Sequence, residues 1–402
     1  MSACDHVRLM RISDSSDRKT SKRLGTFTLV AALGGLALTA CGSSGETPAP
    51  VTEPTPPPPP IEPLPEQATF DMEKAILGRR LYHDTRLSGD GTLSCASCHD
   101  VASGGAEPRR VSTGIHGQQG PINSPTVLNS GLNFAQFWDG RAATLEEQAA
   151  GPVANPMEMG ANWETVVATL QASAQDVQEF TAVYPDGITQ ANVTNAIAEY
   201  ERSLQTPARF DAFLRGNTSE LSAQEQRGWA TFTEVGCTTC HRGQNIGGGM
   251  YQRMGLVQNY FEQRGTPLTD ADQGHFNVSH DEADRHRFKV PTLRNVALTA
   301  PYFHDGSQED LASAVRVMGR VQLNRELTDA QITDIVAFLG SLTGTLPAHA
   351  LMPAAIPVLP PNPTTPVAPE AVLPAAATPV AIPTPTITPT PAVAPTPATP
   401  AQ

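Results

Sequence analysis

Cys95-Ala96-Ser97-Cys98-His99 recurs in form as Cys237-Thr238-Thr239-Cys240-His241, and this repetition limits the possible folds more than any other feature of the chain. In each pentad two cysteines are spaced to form thioethers to the vinyl groups of a porphyrin, with a short loop between them. The adjacent histidine then reaches the iron as its axial ligand. A thioredoxin-like pair or half a zinc site would have to account for that histidine twice. The pentads therefore read as two covalent c-type haems, with Cys95, Cys98, Cys237 and Cys240 as attachment points and His99 and His241 as iron ligands. Two large planar cofactors on one chain favour short helices wrapped around each of them.

Covalent haem attachment belongs to an exported chain, and the amino terminus reads that way. Arg18, Lys19, Lys22 and Arg23 precede an apolar run from Leu24 to Ala40 that contains Gly34 and Gly35 and is short for a membrane span. It ends at Leu38-Thr39-Ala40-Cys41, which resembles a bacterial lipobox. Residues 1–40 are thus expected to be a lipoprotein signal peptide, with Cys41 carrying the lipid anchor at a bacterial membrane facing the periplasm, the outer membrane being favoured by Gly42. Cys4 would leave with the leader. Of 37 prolines, 10 fall between Gly42 and Pro65 and 17 between Leu346 and Gln402. Residues 41–65 read as a semi-extended tether and residues 346–402 as a disordered Pro/Ala/Thr-rich tail. Loss of the leader leaves 21 basic and 37 acidic residues, net −16. That balance argues against a nucleic-acid partner.

The remaining residues read as mainly α, in two cytochrome c-like haem domains, 66–206 and 207–345, each with one pentad. Val193, Ile197 and Leu204 recur at helical spacing. Ser222 to Glu225, Ser307 to Asp310 and Thr328 to Gln331 have the form of capping boxes, and Gly236 closes a helix just before Cys237. Ile332, Ile335, Val336 and Leu339 share one face, as do Leu311, Val315 and Met318. No alternating strand pattern stands out.

Longer motifs carry a resemblance. Gly117 to Thr126 (GQQGPINSPT), Phe137-Trp138-Asp139-Gly140-Arg141, Leu145 to Gln148, Gly151 to Met159 (GPVANPMEM) and Leu293 to His304 (LRNVALTAPYFH) together resemble the bacterial di-haem cytochrome c peroxidases of the cytochrome c peroxidase/MauG superfamily. The resemblance implies an enzyme reducing hydrogen peroxide to water with electrons from a small cytochrome c or a cupredoxin. It also implies a homodimer. The first haem would do the chemistry and the second would receive electrons.

Residue roles follow from the same motifs. Met318 matches the distal ligand of the second haem, where a thioether raises the potential. His116, in Gly114-Ile115-His116-Gly117, matches a displaceable ligand of the first haem, released when the second is reduced. Glu158 matches the catalytic acid–base residue, with Gln148 in the same pocket. Trp138 matches the tryptophan between the haems. Asn123, Thr299 and Pro301 match a calcium site. Two rival readings are an enzyme of the same superfamily that oxidises a partner protein, and a non-catalytic di-haem electron carrier. The cluster His275, His280 and His286 reads as solvated histidines in a polar loop, with metal binding as the lesser alternative.

Overall fold

The computed structural model describes residues 61–351. The expected signal peptide, Cys41 and most of the expected tether and tail lie outside the described residues. Among the described residues helices and single helical turns dominate, and the one sheet is a two-stranded antiparallel pair of three-residue strands, Tyr251–Arg253 and Arg287–Lys289. Sequence periodicity misses these strands because three residues are too few for an alternation to register.

Two helix pairs organise the molecule. The Met72–Tyr82 helix packs on the Gln190–Ser203 helix, and the Ala223–Glu234 helix packs on the Asp329–Gly340 helix. Both crossings depend on a glycine. A Cβ on Gly78 would stand 1.7 Å from the Ala196 carbonyl oxygen, and one on Gly228 would stand 1.9 Å from that of Asp334. In each half the first helix of the pair precedes a CxxCH pentad. Of the apolar faces read from the sequence, Val193, Ile197 and Leu204 are buried in one core and Ile332, Ile335 and Leu339 in the other, while Val336 and the face of Leu311, Val315 and Met318 are half-buried.

The capping boxes at Ser222 and Thr328 form as expected. The one at Ser307 does not. Asp310 is the N-cap of the Leu311–Leu323 helix, its carboxylate accepting from the Ser313 amide, while the Ser307 hydroxyl pairs with Tyr260. An ionised carboxylate one residue from the apolar run makes the better cap.

An internal repeat becomes visible in three dimensions. Pro125-Thr126 and Asn129 correspond to Pro291-Thr292 and Asn295, and Phe137-Trp138-Asp139-Gly140 corresponds to Phe303-His304-Asp305-Gly306. Asn129 and Asn295 share a left-handed backbone, φ 60° and 61°, as do Phe137 and Phe303 at 68° and 73°. Asn129 and Asn295 each open a single helical turn, Ser130–Leu132 and Val296–Leu298. Both donate through Nδ2 to the same buried Thr206 hydroxyl, at 2.8 Å each. Backbone bonds cross between the copies: the Asn123 amide donates to the His304 carbonyl at 2.8 Å, and the Lys289 amide to the Trp138 carbonyl at 2.9 Å. The two halves thus meet about an approximate twofold with Thr206 on it.

Order extends past the expected 66–345. Ile61 and Leu64 are buried, Ile61 in the second core, and the Leu64 amide donates to Asp211. At the other end Ala350 enters the first core and His349 bonds the Ser203 hydroxyl. No helix among the described residues is long and apolar enough to cross a membrane.

Candidate functional site

The two pentads fold alike. Cys95–Cys98 forms one helical turn closed by the His99 amide on the Cys95 carbonyl at 2.9 Å, and His241 closes on Cys237 at 3.0 Å. Each imidazole uses Nδ1 on a backbone carbonyl, Gly105 for His99 (3.1 Å) and Ile246 for His241 (3.2 Å). With Nδ1 so engaged, Nε2 is the nitrogen available to a metal, as a ligating histidine requires; in His99 it also lies 3.4 Å from the Ser124 hydroxyl. Burial holds both rings neutral, lowering His99 and pushing His241 down to about 4. Burial also pushes the thiols of Cys95, Cys98 and Cys237 up to about 12. Such thiols do not ionise, which argues against a reactive dithiol.

A large, mostly apolar cavity adjoins the second pentad. Cys237, Cys240 and His241 line one side, and the Leu311–Leu323 helix presents Leu311, Val315 and Met318. The cavity contains two unbonded thiols, a fixed neutral imidazole, a thioether and apolar walls. This donor set fits a c-type haem, and Met318 lines the same cavity as His241.

Around the first pentad, Glu158 is half-buried and accepts from Asn155 Nδ2 at 2.7 Å. Burial raises its pKa, against the lowering effects of the Asn155 bond and of Arg141. Both the buried Glu107 and Glu158 act electrostatically on the Cys98 thiol, so both carboxylates lie in its neighbourhood. Gln148 sits on the Leu145–Ala154 helix, half-buried. His116 is largely exposed, with φ 58° and Nδ1 3.6 Å from Asp90. Its loop is fastened to the Glu158 backbone: the Ile115 amide donates to the Glu158 carbonyl at 2.8 Å, and a Cβ on Gly114 would stand 2.0 Å from the Met157 carbonyl.

Trp138 connects the two sites. Its Nε1 donates to the Asn123 carbonyl at 2.9 Å, next to Ser124, whose hydroxyl lies 3.3 Å from His99 Nδ1. Its ring lines the cavity of the second pentad. Asn123, Thr299 and Pro301 line that cavity too. Asn123 Nδ2 is spent on the Arg109 carbonyl, which leaves its Oδ1 for another partner.

His275, His280 and His286 do not form a common centre. His275 bonds the Asp139 carbonyl and stacks on Tyr251, while His286 bonds the Asp272 carbonyl. The sequence reading missed a different buried group. Asp272, His304 and Asp305 converge, with Arg264 bridging both carboxylates at 2.6 and 2.9 Å. It also missed Arg294, wholly buried and bidentate on Asp211. The signal available for His304 was its place in the repeated Phe-x-Asp-Gly, opposite Trp138; the two rings meet edge to face at 6.3 Å.

Known proteins place this arrangement. The profile described as di-haem cytochrome c peroxidase matches residues 72–219. Over 288 residues the chain is 47% identical to cytochrome c peroxidase Ccp of Escherichia coli, the match covering 71% of this chain and 61% of that protein. It is 45% identical to cytochrome c551 peroxidase of Nitrosomonas europaea, covering 75% of this chain and 88% of that one. A solved MauG-like protein associated with microbial copper homeostasis superposes with a TM-score of 0.63 at 30% identity, covering 73% of this chain and 95% of that one. With two CxxCH centres on a twofold-related helical scaffold, the chain belongs to the di-haem cytochrome c peroxidase family.

Proposed function

We propose that this protein is a periplasmic cytochrome c peroxidase that reduces hydrogen peroxide at the first pentad with electrons entering through the second. The observation that carries this reading is the unequal equipment of two otherwise matched centres. A thioether lines the cavity of the second, whereas near the first stands a half-buried carboxylate whose backbone is bonded to the loop carrying the exposed His116. The repeated order of glycine-crossed helix, pentad and returning helix supports two cytochrome c-like haem domains, 66–206 and 207–345.

When bound, the haems supply peroxide coordination at one iron and electron storage at both. The protein's own groups do the rest. Glu158 takes a proton from one peroxide oxygen and delivers it to the other. Its raised pKa, caused by burial, brings the carboxyl closer to the working pH, and Asn155 fixes the orientation of Oε1. Gln148 is placed to hydrogen-bond in the same pocket. Trp138 is the side chain through which the two centres couple. His116 gates the first site. Because its loop is bonded to the Glu158 backbone, the movement that frees the site also sets the carboxylate.

A calcium ion held by Asn123, Thr299 and Pro301 would fix the two halves; the grouping of these residues at one cavity supports this. The lipobox supports anchoring through Cys41. A small cytochrome c or cupredoxin is the proposed donor, and a homodimer the proposed assembly.

Peroxide-dependent oxidation of reduced cytochrome c tests the reading. Wild type should turn over, and Glu158→Ala should lose roughly 100-fold or more in kcat. Equal rates in the two would remove Glu158 from the mechanism. Fully oxidised enzyme should be slow and half-reduced enzyme fast, with His116→Gly abolishing the difference. Turnover of a partner protein in place of peroxide would favour the rival enzyme.

A further inference from the structure

Lys289 ends the second of the two short strands and lines the cavity that adjoins His241 and Met318. It is 5% exposed. A lysine at that depth ordinarily has an anionic partner, because an uncompensated buried charge is strongly disfavoured. Among the described residues none is present. No carboxylate forms an ion pair with it, and burial alone accounts for the depression of its pKa to about 8. No aspartate or glutamate lines the cavity with it; the polar side chains there include Asn133, Gln136, Gln252 and Thr292. The cation is therefore built to meet an anion that the described residues do not provide.

We propose that Lys289 is the counter-ion of a propionate of the second haem, and that its charge helps hold that centre at the higher potential. The inference rests on the di-haem reading above. A haem brings two carboxylates into a cavity otherwise lined by apolar and neutral groups. A fixed positive charge beside it disfavours the oxidised iron, which carries one more positive charge than the reduced form.

The internal repeat explains why the charge stands on one side only. Lys289 occupies the position that Asn123 occupies in the other copy. Each backbone amide bonds the carbonyl of the facing aromatic, Trp138 or His304. One twofold-related position thus bears a neutral amide in the first half and an ammonium in the second. A nearly symmetric scaffold acquires two unequal centres through this exchange as well as through Met318.

Spectroelectrochemical titration of the purified holoprotein, with haem counted by pyridine haemochrome, tests the proposal. In Lys289→Gln the ratio of oxidised to reduced second haem at fixed potential should rise about tenfold, a midpoint about 59 mV lower for a one-electron couple. The first haem should keep its midpoint, and Lys289→Arg should keep both. Two haems with unchanged midpoints in Lys289→Gln would overturn the proposal. If Lys289→Gln loses the second haem, its recovery in Lys289→Arg supports the need for a cation, and equal loss in both overturns it. Wild type with fewer than two haems would instead defeat the di-haem reading itself.

Discussion

Two buried glutamates illustrate how environment divides one side chain between tasks. Glu158 is half-buried beside Arg141 and Asn155, and burial raises its pKa only part of the way. As a proton acceptor it must start ionised, so kcat/KM should rise with pH through a pKa above the ordinary carboxylate range, and Glu158→Gln should abolish that limb. A pH–rate profile of both proteins, measured on half-reduced enzyme, checks this. Glu201 is buried, with the Ser130 hydroxyl as its hydrogen-bond partner, and burial pushes it up to about 8. The folded state holds a proton there that the unfolded chain releases near 4.5. Stability is therefore greatest below about pH 4.5 as far as this group is concerned and falls as pH rises towards 8, each unit of the shift being worth ~1.4 kcal/mol. Glu201→Gln should flatten the fall of Tm between those limits; an unchanged slope would mean that Glu201 is ionised in the fold.

The helices were legible where pattern and cap agreed and illegible where a glycine acts through space. Periodicity located the Gln190–Ser203 and Asp329–Gly340 helices, because each buries one stripe. Nothing in a linear pattern reveals that Gly78 and Gly228 are crossing points, since a glycine inside a helix reads only as a weak position. The structure gives them their reason: at both, a side chain would meet a backbone carbonyl well inside van der Waals distance. Gly228→Ala should cost about 1–3 kcal/mol through overpacking, although alanine is the better helix former. Chemical denaturation should show a lowered midpoint with an unchanged slope. A stabilised variant would mean that the crossing is looser than described. The three-residue strands and the displaced cap at Asp310 escaped the sequence for the same general reason. Both are fixed by partners distant in the chain.

At the scale of the whole molecule, much of the candidate site was legible because covalent haem attachment imposes a rigid spacing, and the pentads announce it. The relation between the halves was not legible, though its traces are in the sequence: Pro-Thr-x-x-Asn and Phe-x-Asp-Gly each occur twice in the same order. Their meaning appears only when Asn129 and Asn295 converge on Thr206. The chain ends reinforce this joint. Ile61, from the amino-terminal flank, packs in the second core, and Ala350, from the carboxy-terminal flank, in the first. Each half is thus completed by residues lying outside its own stretch of sequence, so the two should unfold together. Thr206→Val tests the joint with little change of volume. It removes the acceptor of two buried side-chain amide donors, at a cost of roughly 1–3 kcal/mol for each. Calorimetry of the wild-type holoprotein should show one transition. In the variant the transition should fall in temperature and separate into two, since the cores remain intact while their shared contact fails. A single transition in the variant at the wild-type temperature would show that the halves are joined by their crossed flanks and not through Thr206.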